Sequence, residues 1–371
     1  MKYIYLFLCL TVSSVSLGQS VKNISGLVTS AGTGLPLPNV SVFLNGTSKG
    51  TMTDSDGHYR LQDLPYGAYE LVFSSVGYTT RVHQFTAADL PLNLDMELSP
   101  KPMELETVTV SPFLKDGWRI WGRFFRENFI GNSKAAENCV IKNYKVLRFR
   151  HNKAAKTLEV YADEPLIIEN KVLGYRIQYQ LEMFVHNWNT RSQLFWGYTL
   201  FEDLTAGQKK PPARLLQRRQ EVYRGSLMHF MRSLYADRLK KEGFEVQRMR
   251  KAPDPAHPGD SLSVVSRPFM TADSLLVTRN DSSKVLFFQD YLQVTAINSR
   301  EETEYLHYIK QGRKPWFQRS VLSLLEEQPV TIQRNGGYQP PQNLILSEYW
   351  GWSEKVAHLL PWDYREPAVL P

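Results

Sequence analysis

Cysteine is the scarcest residue of this 371-residue chain, with two copies, Cys9 and Cys139. Cys9 falls in the apolar start of the chain, so the rest carries one thiol and no internal disulfide, and a packed core must hold it together. Cys139, between Asn138 and Val140, has no nucleophile signature and reads as a small buried apolar side chain. Long apolar runs are the second absence. Beyond the first residues none reaches 18 consecutive positions, which argues against a membrane-spanning helix there. The many ten-residue alternating strands of a large outer-membrane barrel do not fit the length either. Catalytic signatures are the third. There is no phosphate-cradling Gly-x-x-x-x-Gly-Lys-Ser/Thr loop, no Gly-x-Gly-x-x-Gly and no His-Glu-x-x-His helix.

What is present divides the chain into parts. Residues 1–19 read as a signal peptide: Lys2 opens it, Ile4–Val12 form a short apolar run, and Ser16-Leu17-Gly18 supplies a small-x-small cleavage site. Cys9 follows Leu8 rather than a small residue, which argues against lipidation. The expectation is an exported protein, periplasmic or associated with the outer membrane. Residues 20–98 read as all-β, with strands at Ile24–Thr29, Val40–Leu44, His58–Leu61, Tyr69–Ser74 and Leu92–Leu98, divided by Gly, Pro, Asn and Asp. Short strands at this spacing indicate a β-sandwich. In Asp54-Ser55-Asp56-Gly57, glycine supplies the positive φ of a hairpin turn and Asp54 caps it. A calcium loop would need more oxygen ligands and a distal glutamate.

The order Ile24-Ser25-Gly26-Leu27-Val28, Gly34-Leu35-Pro36-Leu37-Pro38-Asn39-Val40, Gly46-Thr47, Gly50-Thr51, Thr53–Tyr59 and Gly77-Tyr78 resembles the carboxypeptidase regulatory-like domain. That is a transthyretin-like sandwich common on exported proteins of Bacteroidetes type. The resemblance implies a β-sandwich accessory domain. It brings no peptidase with it: none of the eight histidines has a glutamate three residues later, and His257 with Asp260 is the nearest substitute.

Residues 99–117 read as a linker, with Pro100, Pro102 and Pro112 around the strand-like Glu104–Val110. Residues 118–371 read as a second, mixed α+β module rich in β. Trp118, Trp121, Phe124, Phe125 and Phe129 have helical spacing, and alternation predicts strands at Val146–Phe149, Leu158–Tyr161, Leu166–Ile168 and Tyr175–Phe184. One long helix is predicted through Tyr223, Leu227, Phe230 and Leu234, ending near Gly243. Further strands are predicted at Leu275–Thr278, Val285–Phe288, Tyr291–Ala296 and Val330–Gln333. Ala162–Asn170, Leu173-Gly174-Tyr175, Gly225-Ser226-Leu227 and Tyr349-Trp350-Gly351-Trp352 resemble the region that follows such sandwiches in a group of Bacteroidetes exported proteins. That likeness implies architecture, not chemistry.

Two clusters invite a function. Asp163, Glu164, Glu169 and Glu182, near His186, have the residue types for glycoside hydrolysis. If 166–168 is a buried strand, Glu164 and Glu169 instead mark its solvent-facing ends. The second cluster is cationic. The chain's formal net charge is +7, yet residues 20–110 are net acidic, and Lys209–Lys251 alone hold thirteen basic against four acidic residues. Such a stripe suits an anionic membrane surface or an ordinary solvated helix, and an exported protein rarely meets nucleic acid. No catalytic, cofactor-binding or metal-ligating residue is assigned. The expectation is a non-catalytic binding or scaffold protein whose partner is a protein or a cell-envelope component. The alternatives are a peptide or glycan hydrolase with its site in 118–371, and a peripheral binder of anionic membrane through 209–251.

Overall fold

The structure, a computed structural model, describes residues 22–367 except 66, 102–111, 210, 256, 258–260 and 281–282. The expected signal segment and the strand-like run 104–110 lie outside the described residues. The architecture is an all-β sandwich followed by a β-rich α+β region. Among the described residues no helix is long and apolar enough to cross a membrane.

The sandwich comprises β1 (Ile24–Ser30), β2 (Ser41–Leu44), β3 (Gly50–Met52), β4 (His58–Leu61), β5 (Ala68–Ser74), β6 (Arg81–Thr86), β7 (Leu92–Asn93) and β8 (Met96–Leu98). One sheet has β1 at its centre, with β4 antiparallel on one side and β7 and β8 parallel to it. The other runs β3-β2-β5-β6. Strand β4 shows how sequence selects the face: His58 and Arg60 are exposed while Tyr59 and Leu61 are buried. Ile24, Val28, Val42, Leu71 and Phe73 fill the space between the sheets, each fully buried. The Asp54 turn forms as expected. Its carboxylate accepts the N–H groups of Asp56 at 3.0 Å and His58 at 2.8 Å, and Gly57 sits at φ +77°.

After the sandwich come α1 (Gly117–Phe129), β9 (Cys139–Ile141), β10 (Leu147–Asn152), β11 (Thr157–Ala162), β12 (Leu166–Asn170), β13 (Tyr175–Asn187) and β14 (Ser192–Asp203). The thirteen-residue β13 organises this sheet. Strand β14 pairs along its whole length, while β12 and β11 share its other edge. Helix α1 lays Phe125 and Phe129 on the sheet, as its spacing predicts.

The rest builds a second core. Helices α2 (Ala213–Tyr223) and α3 (Leu227–Tyr235) lead into β15 (Phe244–Pro253), β16 (Ser261–Val265), β17 (Leu276–Asn280), β18 (Ser283–Leu286) and β19 (Tyr291–Arg300). They are followed by α4 (Thr303–Tyr308), β20 (Phe317–Leu324), β21 (Val330–Gln333), β22 (Tyr338–Gln339), β23 (Leu344–Ser347) and α5 (Glu348–Ser353). Two sheets, β16-β15-β19-β20-β23 and β17-β18-β21-β22, share this core with Phe230, Leu234 and Trp350 of the helices.

The predicted single helix through 223–234 is two helices. Arg224 is extended and Gly225 has φ +80°, so the chain turns between Tyr223 and Leu227 although the apolar spacing continues across the break. Trp350 Nε1 donates to the Gly225 carbonyl at 2.8 Å and fixes that turn from the core.

The segment after α5 crosses back over all three parts. The Ala357 N–H donates to the Ile130 carbonyl, and Asn170 Nδ2 donates to the Ala357 carbonyl. Arg232 donates to the carbonyls of Asn335, Trp362 and Tyr364. Asp363 accepts the Ser48 hydroxyl and N–H in the sandwich. The β2–β3 turn also meets β14 directly: Gly46 N–H donates to Thr199 O, and Phe201 N–H donates to Thr47 O.

Candidate binding cleft

The acidic cluster expected from the sequence is not a single site. Asp163 faces Arg148 at 3.4 Å on the surface. Glu164, one residue further, is exposed. Glu169 is held by Arg176 at 3.1 Å and Lys142 at 3.6 Å, and the Arg176 hydrogen bond keeps its carboxyl below the usual range. Glu182, further along β13, is half-buried near Thr80 and Lys101 of the sandwich, and burial pushes its carboxyl up. His186 lies near the end of the same strand, against Phe124 and Trp188. Glu169, the carboxylate that lies on β12, is thus a cross-strand ion-pair partner of Arg176.

Cys139 is 1% exposed in the core beneath α1, and burial pushes its thiol up to about 12. A thiol in that state is a poor nucleophile. His257 contacts Asp254, and Asp260 lies outside the described residues. The basic segment 209–251 spends much of its charge internally. Arg219 is buried, bidentate to Asp203 at 2.8 and 2.9 Å, donates to the Leu173 carbonyl, and stacks 3.9 Å from the Tyr175 ring centre. Burial pushes the Asp203 carboxyl up, but the Arg219 and Thr205 hydrogen bonds outweigh it and hold it below the usual range. Arg218 pairs with Glu221, Arg224 with Glu366, and Arg232 with the three carbonyls already named.

A cleft of about 590 Å³ opens between the two cores. Its wall comes from remote stretches of the chain: 134–135, Val172, 218–226, 298–303, 315–318 and 349–358. Strand β19 contributes through an irregularity. Ala296 pairs with Gln318 and Arg300 with Phe317, so residues 297–299 bulge out of the ladder and turn Asn298 and Ser299 to the cleft. Opposite lies Gly225. A Cβ there would stand 2.3 Å from Gln318 Oε1 and 2.7 Å from Ser299 Oγ, so only glycine lets these two side chains pack this closely against the turn.

The cleft's carboxyls differ sharply. Glu354 Oε1 accepts the Leu227 N–H at 2.9 Å at the start of α3, and burial raises its pKa. Glu302 accepts the Lys134 N–H at 3.0 Å and lies 3.4 Å from His358 Nε2. Burial pushes it up as well, but His358 and the Lys134 N–H outweigh burial and hold it low. Glu301 is satisfied by Arg313 through both oxygens and by the Trp316 N–H at 2.9 Å, which again overcomes burial. Two carboxyls pushed in opposite directions can form an acid and base pair. Here each already serves a structural partner: an N–H at a helix start, or a bond between lobes. Sequence reasoning assigned no role to any of these residues. The doublet Glu301-Glu302 and the Gly225 turn were the signals available for finding them.

Residues 24–110 match the family model of the CarboxypepD_reg-like domain. TonB-dependent receptor P3 of Formosa agariphila is 32% identical over 105 residues, which is 28% of this chain and 10% of the receptor. TonB-dependent receptor P39 of the same organism is 35% identical over 77 residues, 21% of this chain and 7% of the receptor. The chain thus spans about a tenth or less of the curated relatives it matches. Among solved structures, a chain of a type II cohesin–X-dockerin complex from Acetivibrio cellulolyticus is 21% identical. It covers 21% of this chain and 58% of its own, with a TM-score of 0.19. The glycines, turn aspartates and strand order of the sandwich agree with the family match: residues 24–110 of this chain are a CarboxypepD_reg-like domain.

Proposed function

We propose that the chain is an exported, non-catalytic binding or scaffold protein of the cell envelope. In this reading 1–19 is a signal peptide, 20–98 the sandwich, 99–117 a linker and 118–371 the β-rich module. The observation that supports it most is the fixed seat of the sandwich, hydrogen-bonded through Gly46 and Thr47 to β14 and through Ser48 to Asp363. An accessory domain held by backbone bonds presents its loops and edges in one orientation, which suits an adaptor. Among the described residues strand β6 pairs only with β5, which makes its outer edge a candidate for strand addition by a protein partner. The internal commitments of Arg218, Arg219, Arg224 and Arg232 weigh against an anionic membrane as the partner.

Cell fractionation followed by cross-linking and partner identification tests compartment and binding together. Recovery in the cytoplasm, or no cross-linked partner in the envelope fraction, overturns the reading. The competing hydrolase reading is tested by alanine at Asp163, Glu164 and Glu169. A folded variant that loses a turnover present in the wild type favours the enzyme.

A further inference from the structure

We propose that the cleft between the two cores binds a neutral oligosaccharide, with Trp316, the chain neighbour of Pro315 in its wall, as a stacking face. The site goes beyond the scaffold reading and does not depend on it. A volume of about 590 Å³ is within the range of small-molecule sites. Apart from the buried Tyr349, its apolar lining consists of small side chains such as Ala135, Val172, Val222 and Pro315, which offers little to a lipid tail. Its charges are largely neutralised in place: Arg218 by Glu221, Arg224 by Glu366 and Glu301 by Arg313. Of the charges that remain, Lys134 and Arg300 are cationic and Glu302 and Glu354 are carboxyls, so no single sign is left to select an ion. Beside them stand hydroxyl and amide groups, the chemistry that matches ligand hydroxyls, which donate and accept at once.

Two local devices aim these groups. The 297–299 bulge turns Asn298 and Ser299 out of the ladder, and Gly225 leaves room for Ser299 and the Gln318 amide. Gln318 Nε2 is bound to the Arg300 carbonyl, so its Oε1 is the end left beside Gly225. A peptide is matched less well. Strand β20 is paired by β19 along its length and by β23 over Val321–Leu324, and the mostly small apolar lining suits a peptide side chain poorly.

Trp316 follows Pro315 of the cleft wall and is 59% exposed. It is nevertheless held. Its backbone N–H donates to Glu301, which also binds Arg313, and the Arg313 guanidinium lies 4.3 Å from the indole centre. An exposed indole fixed in advance presents a flat apolar surface at low entropic cost, as a sugar ring requires.

The test is isothermal titration of the full chain with cellohexaose, maltohexaose, chitohexaose and mannohexaose, with tetra-alanine as the peptide arm. At least one hexasaccharide is expected to bind, and Trp316→Ala, a surface change that leaves the core intact, is expected to weaken it roughly tenfold. Gln318→Ala is expected to weaken it as well, with the far-UV spectrum unchanged. Absence of binding by all four sugars overturns the proposal, as does binding that both variants leave unaltered, or heat from tetra-alanine alone. Cross-linking to a protein partner on the same preparation reports the scaffold reading separately, so the two can fail independently.

Discussion

The Trp362 N–H donates to the Gly46 carbonyl at 2.6 Å, and the Trp362 indole covers the side of Gly46 where a Cβ would project. A turn of the sandwich and a residue far along the chain therefore fit only because position 46 is glycine, with φ +73°. Gly46→Ala would place its Cβ 2.6 Å from Trp362 Cδ2. Gly77 has a similar φ of +81° but nothing within 4 Å of its Cβ position. Gly77→Ala is expected to cost about 1 kcal/mol, the backbone strain alone. Gly46→Ala is expected to cost about 3 kcal/mol, because overpacking adds to that strain. Urea unfolding of both variants checks this, and equal losses would show that Trp362 gives way freely.

Arg219 is the second place where a single substitution should be felt. Arg219→Ala leaves the half-buried Asp203 without its bidentate partner, and a loss of about 3 kcal/mol is expected. Arg219→Lys should recover less than half, since an ammonium can neither bridge both oxygens nor lie flat on Tyr175. Denaturation midpoints decide it; full rescue by lysine contradicts the role assigned to the planar guanidinium.

The two cleft carboxyls should give stability opposite pH dependences. The folded pKa of Glu302 lies below its ordinary 4.5, so its contribution is present above about pH 4.5 and lost as pH falls through the lowered value. Glu302→Gln should therefore be destabilised near neutrality, with the difference from wild type shrinking in acid. The folded pKa of Glu354 lies above 4.5, so its contribution is full below that value and lost as pH rises through the raised one. Glu354→Gln should be hardest to distinguish from wild type in acid and gain on it toward alkaline pH. Unfolding free energies of both variants across pH 3 to 9 would check this, and parallel curves would refute it.

Lys355 supplies a third titration. Burial pushes its ammonium down to about 8 from 10.5, while neighbouring Glu354 partly restores it. The folded state disfavours the cation, so stability rises with pH between about 8 and 10.5 and is lower below that window. Lys355→Met should be more stable than wild type at pH 7, with the advantage fading by pH 10.5. Thermal unfolding at the two pH values is the measurement.

The sandwich was legible because its signals are local: Asp56-Gly57 for a turn, period-two alternation for β4, and glycines where φ turns positive. Helix α1 was legible from the spacing between Trp118 and Phe129. Strand β14 was not, because the consecutive Leu194, Phe195 and Trp196 hide its alternation, and β6 was lost among Arg81, His83 and Gln84. The break between α2 and α3 escaped because Tyr223, Leu227, Phe230 and Leu234 keep helical spacing through it. The cleft had no local signature at all. Residues as distant as Lys134 and His358 share it, and only tertiary packing brings them to one wall.

The bond between Ser48 and Asp363 joins positions 315 apart in sequence. The sandwich lies wholly N-terminal to Asp363, so β1–β8 can pair before the residue that covers their β2–β3 turn reaches them. The nascent sandwich thus exposes Gly46–Lys49, and the completed molecule hides part of it. An antibody raised against that turn would tell an unfinished polypeptide from a mature one, and would date the moment at which the chain closes on itself.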